Sequence, residues 1–117
     1  PSADYRILCR NGCYCTIAKN GDTFKSLGKR FNVSARRLRR YNEVDKNHQL
    51  KGGDIVYLTA KKRKAEKALK GKYHIVEKGE SLYTIAQKYG IKVKALYKAN
   101  RITDGFNLIE GQYLRIR

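Results

Sequence analysis

Positions 24, 27, 28 and 31 (Phe, Leu, Gly, Phe) recur at i, i+3, i+4 and i+7, the spacing of one buried stripe along a helix. Thr23 stands before them as an N-cap and Asp22 adds negative charge beside the first turn, so a helix is predicted over residues 23–31. Asn32 ends it. Val33 points back toward a core, and Ser34 caps a second predicted helix that runs through Leu38 to about Tyr41. Asn42 closes this helix as a residue that tolerates left-handed backbone and hydrogen-bonds neighbouring peptide groups. Short runs rich in strand formers flank the pair: residues 14–18 before a turn at Asn20-Gly21, and residues 54–58 after a loop over 43–53. The predicted order is strand, helix, helix, strand.

That order returns later in the chain at one constant offset, without insertion or deletion. Ile17 falls on Ile75, Leu38 on Leu96, Asn42 on Asn100, Leu50 on Leu108 and Gly53 on Gly111. In the second copy residues 73–76 read as strand, Lys78-Gly79 as turn, Ser81 as N-cap, and Leu82, Ile85, Ala86 and Tyr89 as the helical stripe. Ile91, Val93 and Leu96 lead into a second helix that stops at Asn100. Residues 112–116 close the copy as a strand, with Leu114 and Ile116 inward and Tyr113 and Arg115 outward. The expected fold class is α+β: two βααβ units, each a two-stranded antiparallel sheet with both helices on one side. The expected boundaries are an N-terminal arm over 1–13, a first unit over 14–58, a basic linker over 59–72 and a second unit over 73–117. Units this small bury little core and leave no room for a deep catalytic cleft.

Charge narrows the choice of partner. Lys and Arg number 27 against 10 Asp and Glu, a formal charge of +17, which points to an anionic partner or surface. Nucleic acid, a phosphate-rich membrane face and a carboxylate-bearing cell-wall polymer all qualify, and solubility alone is the bland alternative. The segment 59–72 concentrates this charge at Lys61-Lys62-Arg63-Lys64, Lys67 and Lys70, with little apolar content beyond alanine and Leu69. It is expected not to anchor to a core, and to be a flexible or partly helical segment, extended at low salt, that serves as a spacer or as a clamp for polyanions. No apolar run approaches the ~20 residues that span a bilayer. A chain that opens on Pro1 and contains no methionine is expected to be a fragment or processed product, with any export signal upstream.

Cys9, Cys13 and Cys15 make an odd count around the first strand. A Cys9–Cys13 or Cys9–Cys15 bridge would tie down the arm and leave one thiol over. A zinc site with His48 as fourth ligand is the sharper alternative, but no second CxxC pair supports it, and no metal or other cofactor is expected. Neither His48 nor His74 sits in a pattern that would activate a thiol. Glycoside hydrolysis needs two carboxyl groups across one cleft, whereas Asp22 and Glu80 belong to separate copies. No enzymatic activity is expected of this chain.

Residues 14–24, opening Tyr-Cys-Thr-Ile-Ala and ending Asn-Gly-Asp-Thr-Phe, and residues 73–82, Tyr-His-Ile-Val-Glu-Lys-Gly-Glu-Ser-Leu, both resemble the opening of a LysM domain. Ile85-Ala86, Leu96 with Asn100, and the closing run 108–116 extend the resemblance. The first copy departs in two places: Gly28 stands where alanine is usual, and Lys51-Gly52-Gly53-Asp54 replaces the commoner apolar-polar-Gly-Gln. The resemblance implies a non-catalytic βααβ module that binds N-acetylglucosamine (GlcNAc) containing glycan, peptidoglycan or chitin, as a monomer. Carried over by position, the sugar groove comprises Gly21, Asp22, Thr23 and Phe24 facing Asn47, His48, Gln49, Leu50 and Lys51. In the second copy it comprises Gly79, Glu80, Ser81 and Leu82 facing Phe106, Asn107, Leu108 and Ile109. The tandem with its Lys-rich linker and the arm 5–12 also resembles the C-terminal region of Bacteroidetes-type cell-wall glucosaminidases, which implies an attached hydrolase and an exported location.

The residue chemistry fits such a role. Gly21 and Gly79 let backbone approach a ligand, and the N–H groups at the following helix start can donate to an N-acetyl carbonyl. Asp22 or Glu80 can accept from sugar hydroxyls, and the apolar residues can offer a floor to the acetyl methyl. Folding alone asks for the same residue types, and Phe24, Leu50, Leu82 and Leu108 are assigned mainly to core packing. Phe106 can stack on a sugar face or tuck under its own loop. The competing class is a basic nucleic-acid-binding protein, against which stand the spread of charge over linker and both copies and the lack of an RNP-like aromatic motif.

Overall fold

A computed structural model describes residues 5–103 and 106–117. The first four residues of the expected arm and residues 104–105 of the second unit lie outside them. The chain divides into two compact units, residues 1–61 and 62–117.

The first unit contains β1 (Leu8–Arg10), β2 (Cys13–Ile17), α1 (Phe24–Phe31), α2 (Ala35–Tyr41) and β3 (Ile55–Tyr57). Its helices begin where the capping residues predict. Thr23 accepts from the Ser26 N–H while the Ser26 hydroxyl accepts from the Thr23 N–H, a reciprocal capping box. Ser34 accepts from the Arg37 N–H. Asn32 ends α1 in left-handed backbone at φ 58°. Leu27, Leu38 and Val56 are buried with Ala18 and Phe24 between sheet and helices.

In this unit the sheet has three strands rather than two, in the order β1-β2-β3, antiparallel throughout. The expected arm is therefore the outer strand of the first unit. Asn11 and Gly12, both at positive φ (53° and 73°), make the two-residue turn that matches strand twist in a tight hairpin. Their register pairs Leu8 with Cys15, Cys9 with Tyr14 and Arg10 with Cys13. Successive strand residues face opposite ways, so exposed Cys9 lies on the other face from buried Cys13 and Cys15. Neither expected bridge forms; none of the three cysteines is in a disulfide. Among the described residues, no three His, Cys, Asp or Glu side chains converge as a metal site.

The second unit contains β4 (Tyr73–Ile75), α3 (Leu82–Tyr89), α4 (Val93–Asn100) and β5 (Tyr113–Arg115), with β4 and β5 antiparallel. Ser81 and Thr84 repeat the capping box. Leu114 and Ile116 are buried on one face of the closing strand while Tyr113 is exposed on the other.

The linker does not behave as a free spacer. Ala65 is 2% exposed and sits in the second core with Val76, Ile85, Ile91 and Leu96, and Leu69 packs against the same cluster. Backbone bonds between Lys62 and its neighbours Gly90 and Lys92 (3.2 and 2.9 Å) fasten its start. Few apolar side chains suffice here because Ala65 is small enough to enter a filled core and Leu69, four residues on, packs against the same core. Lys61, the last residue of the first unit, is buried and paired with Glu43 at 2.8 Å.

One side chain organises both units in the same way. The Asn42 amide donates to the Leu38 and Tyr57 carbonyls (2.8 and 3.0 Å), and its oxygen accepts from the Tyr57 N–H at 2.7 Å. Asn100 repeats this with Leu96 and Arg115 (2.9, 2.7 and 2.7 Å). As expected, Asn42 hydrogen-bonds neighbouring peptide groups, but the left-handed backbone falls one residue later, at Glu43, and likewise at Arg101 after Asn100 (φ 57° and 53°). Asparagine stands there because its amide bonds to the strand's edge as a neighbouring strand would, anchoring the second helix to the closing strand.

Candidate functional site

In each unit the two loops predicted to frame a groove are joined at their bases. Ala18 donates to Asp54 and accepts from Gly53, both at 2.8 Å; Val76 donates to Gln112 at 2.9 Å and accepts from Gly111 at 2.7 Å. These bonds continue the strand ladder past its last paired residues and hold the loops side by side. Gly21 and Gly79 turn the first loop at φ 88° and 83°, where a side chain would be strained. In the first unit the loops also touch directly: a Cβ built on Gly52 would overlap the Asn20 amide oxygen. His48 and Phe24 bring the second loop to the helix start, with ring centroids 6.3 Å apart.

The carboxylates expected to bind sugar hydroxyls are used within the turn. Asp22 accepts from the Lys19 N–H at 2.8 Å, the Ser26 hydroxyl at 3.3 Å and the Tyr5 hydroxyl at 2.8 Å. That hydrogen bond, followed by burial, raises the Tyr5 phenol above its ordinary pKa. Tyr5 also packs edge-on against Phe31, and Lys19 lies 4.7 Å above its ring. No sequence signal marks this role, because Tyr5 precedes the repeat and has no counterpart in the second copy.

Glu80 serves the equivalent turn through a different set of partners. Its Oε1 accepts from the Glu77 N–H at 2.7 Å and lies 2.8 Å from His74 Nε2, while His74 Nδ1 is 2.7 Å from the Tyr89 hydroxyl. Burial opposes the charge on Glu80, but the Glu77 N–H and His74 outweigh it and hold the carboxyl below its ordinary range. Tyr89 is pushed up by burial and then by the nearby Glu80 and Glu77.

The remaining predicted residues divide by exposure. Phe24 is 5% exposed and belongs to the core, while Leu50, Leu82 and Leu108 are half-buried against their cores. Phe106 is half-buried, as is His48. Open to a ligand are Gly21, Thr23, Asn47, Gln49 and Lys51 in the first unit, and Gly79, Ser81, Asn107 and Ile109 in the second. Corresponding polar atoms hold the second loops: the Lys51 N–H donates to Asp54 at 2.9 Å and the Ile109 N–H to Gln112 at 3.1 Å. Asp54 thus does the work of the commoner glutamine.

The family model of the LysM domain matches residues 17–59 and 74–117, more than half of the chain. The chain belongs to the LysM family. An autolysin of Enterococcus faecalis is 26% identical over 102 residues, a match covering 84% of this chain and 14% of that protein. A probable autolysin, SsaALP, of Staphylococcus aureus is 28% identical over 103 residues, covering 84% of this chain and 38% of that protein. The chain therefore spans well under half the length of either relative. Among solved structures, the spore cortex-lytic enzyme SleL of Bacillus cereus matches at 23% identity and a TM-score of 0.37, covering 88% of this chain and 22% of that one.

Proposed function

We propose that each unit binds GlcNAc-containing glycan, peptidoglycan in particular, in the trough between its paired loops, and that the pair holds an attached cell-wall hydrolase on its substrate. The observation that carries this reading is the repetition of joined, glycine-turned loops with exposed polar residues in both units of a LysM chain. Backbone N–H groups at the two helix starts are the donors best placed for an N-acetyl carbonyl. The chain contributes affinity rather than cleavage, since Asp22 and Glu80 are each tied to their own turn. Two autolysin relatives support the hydrolase and a location in the cell envelope or outside the cell. Within that class, the tandem, linker and arm favour an N-acetylglucosaminidase as the attached enzyme.

Open troughs bind weakly one at a time, and two on one chain gain through effective concentration. The charge of +17 adds attraction to peptidoglycan carboxylates. Sedimentation with purified sacculi tests the reading: binding should fall with salt without vanishing, and should be displaced by soluble GlcNAc oligomers. Complete loss at moderate salt, insensitivity to the oligomers and a steep salt response with duplex DNA would favour the nucleic-acid alternative.

A further inference from the structure

At the pole of the second unit away from its loops lies a cleft of about 460 Å³ that the glycan trough does not use. In the β4–β5 ladder Ile75 pairs with Tyr113 beside the loops, whereas Tyr73 pairs with Arg115 at the opposite end, where the cleft opens. Its rim carries Arg63, Lys64, Lys70, Lys98, Arg115 and Arg117, with no acidic side chain among the lining residues. Glu66, the sole acid of the linker, is outside that lining. The floor is apolar and small-featured: Ala95, Ala99 and Ile116.

Two of the cations are held in position. The Arg115 guanidinium lies over the Tyr73 ring, 5.6 Å from its centroid, and donates to the Tyr73 hydroxyl at 3.2 Å. Arg117 donates to the Ala65 carbonyl, which fixes the chain end against the linker. Gathering six cationic side chains around one cleft raises its free energy, and an anionic occupant relieves it. A rim of six cations suits several negative charges, and guanidinium forks suit carboxylates. The floor adds a preference for small aliphatic side chains over a bare polyanion.

From this combination we propose that the cleft formed by the linker, α4 and β5 is a second binding site, for a short acidic peptide with small apolar side chains. Resting on the proposed peptidoglycan reading, it assigns the stem peptide to this cleft and the sugar to the trough. The second unit then distinguishes peptidoglycan from chitin, which carries no peptide.

The test uses amide chemical shifts of the full chain with three separate titrants: a GlcNAc tetramer, the N-acetylated peptide L-Ala–γ-D-Glu–meso-diaminopimelate–D-Ala, and a short single-stranded DNA. The peptide is expected to move Ala95, Lys98, Ala99 and Ile116 and leave the loops still; the tetramer should do the reverse. Replacing the exposed pair Arg63→Gln and Lys98→Gln should weaken peptide binding about tenfold, two solvent-exposed charge contacts being lost. The tetramer response should be unchanged, which shows that the variant folds. Failure of the peptide to move the cleft residues, or tighter binding of DNA than peptide there at physiological salt, overturns the assignment. A silent tetramer with a responsive cleft would instead sink the glycan reading and leave peptide binding standing.

Discussion

Replacing Asn42 with alanine should damage the first unit far more than Asn100→Ala damages the second, although both asparagines make the same three side-chain bonds. Asn42 is fully buried, and removing its amide strips the Tyr57 N–H and carbonyl of partners where water does not reach. Leu38 keeps its helical bond from the Asn42 N–H, so the Tyr57 groups carry the cost. The two bonds lost at Tyr57, at about 1 kcal/mol each, give about 2 kcal/mol, and the buried donor stranded there adds about 1 kcal/mol or more. That is a large part of the roughly 3–9 kcal/mol expected for a unit of this size. At Asn100 the bonds to Arg115 are exposed, water replaces them, and about 1 kcal/mol is expected. The assay is urea unfolding of the full chain followed by amide resonances, which reports each unit separately. Asn42→Asp should be no better than alanine, because a carboxylate cannot donate to the Leu38 and Tyr57 carbonyls. Equal losses below about 0.5 kcal/mol in both units would refute the argument that these asparagines replace a strand at the sheet edge.

Further outcomes follow from the turns and the first sheet. Tyr5→Phe keeps the packing on Phe31 but removes the bond to Asp22, and should lower first-unit stability by about 1 kcal/mol in the same urea assay. Gly28→Ala gains about 1 kcal/mol of helix propensity, yet its Cβ would overlap the Val33 carbonyl oxygen in backbone that has little room to move. A net loss of about 1 kcal/mol is expected, and a rise in thermal midpoint would contradict it. Because the folded pKa of Glu80 is lowered, its contribution is fully present above the ordinary carboxylate range and disappears as pH falls through the folded value. Glu80→Gln should flatten that acid limb of second-unit stability. In the native chain a thiol reagent should modify exposed Cys9 rapidly, and Cys13 and Cys15 only on unfolding, since burial also holds the Cys15 thiol high.

The helices were legible because their information is local. Capping residues at Thr23, Ser34 and Ser81, the i, i+3, i+4, i+7 stripes and Asn32 located their ends to within a residue. The extra strand was legible in principle, since Asn11-Gly12 between strand formers is the strongest short hairpin signal, but it has no counterpart in the second copy, so the repeat does not mark it. The docking of Ala65 escaped because composition averages over a segment, whereas one alanine in register fills a core. At the site, the repeat located both loops and their glycines. It could not reveal that Asp22 and Glu80 turn inward, since their partners Tyr5 and His74 come from outside the turn in one case and from the neighbouring strand in the other.

The central claim is that glycan occupies the trough of each unit. Titrating the full chain with a GlcNAc oligomer while following its amide resonances tests this most directly. Saturable shifts are expected in residues 20–24 and 47–51 of the first unit and in 78–82 and 106–109 of the second. Shifts confined to the lysine-rich segment 59–72, or none in either pair of loops, would contradict it.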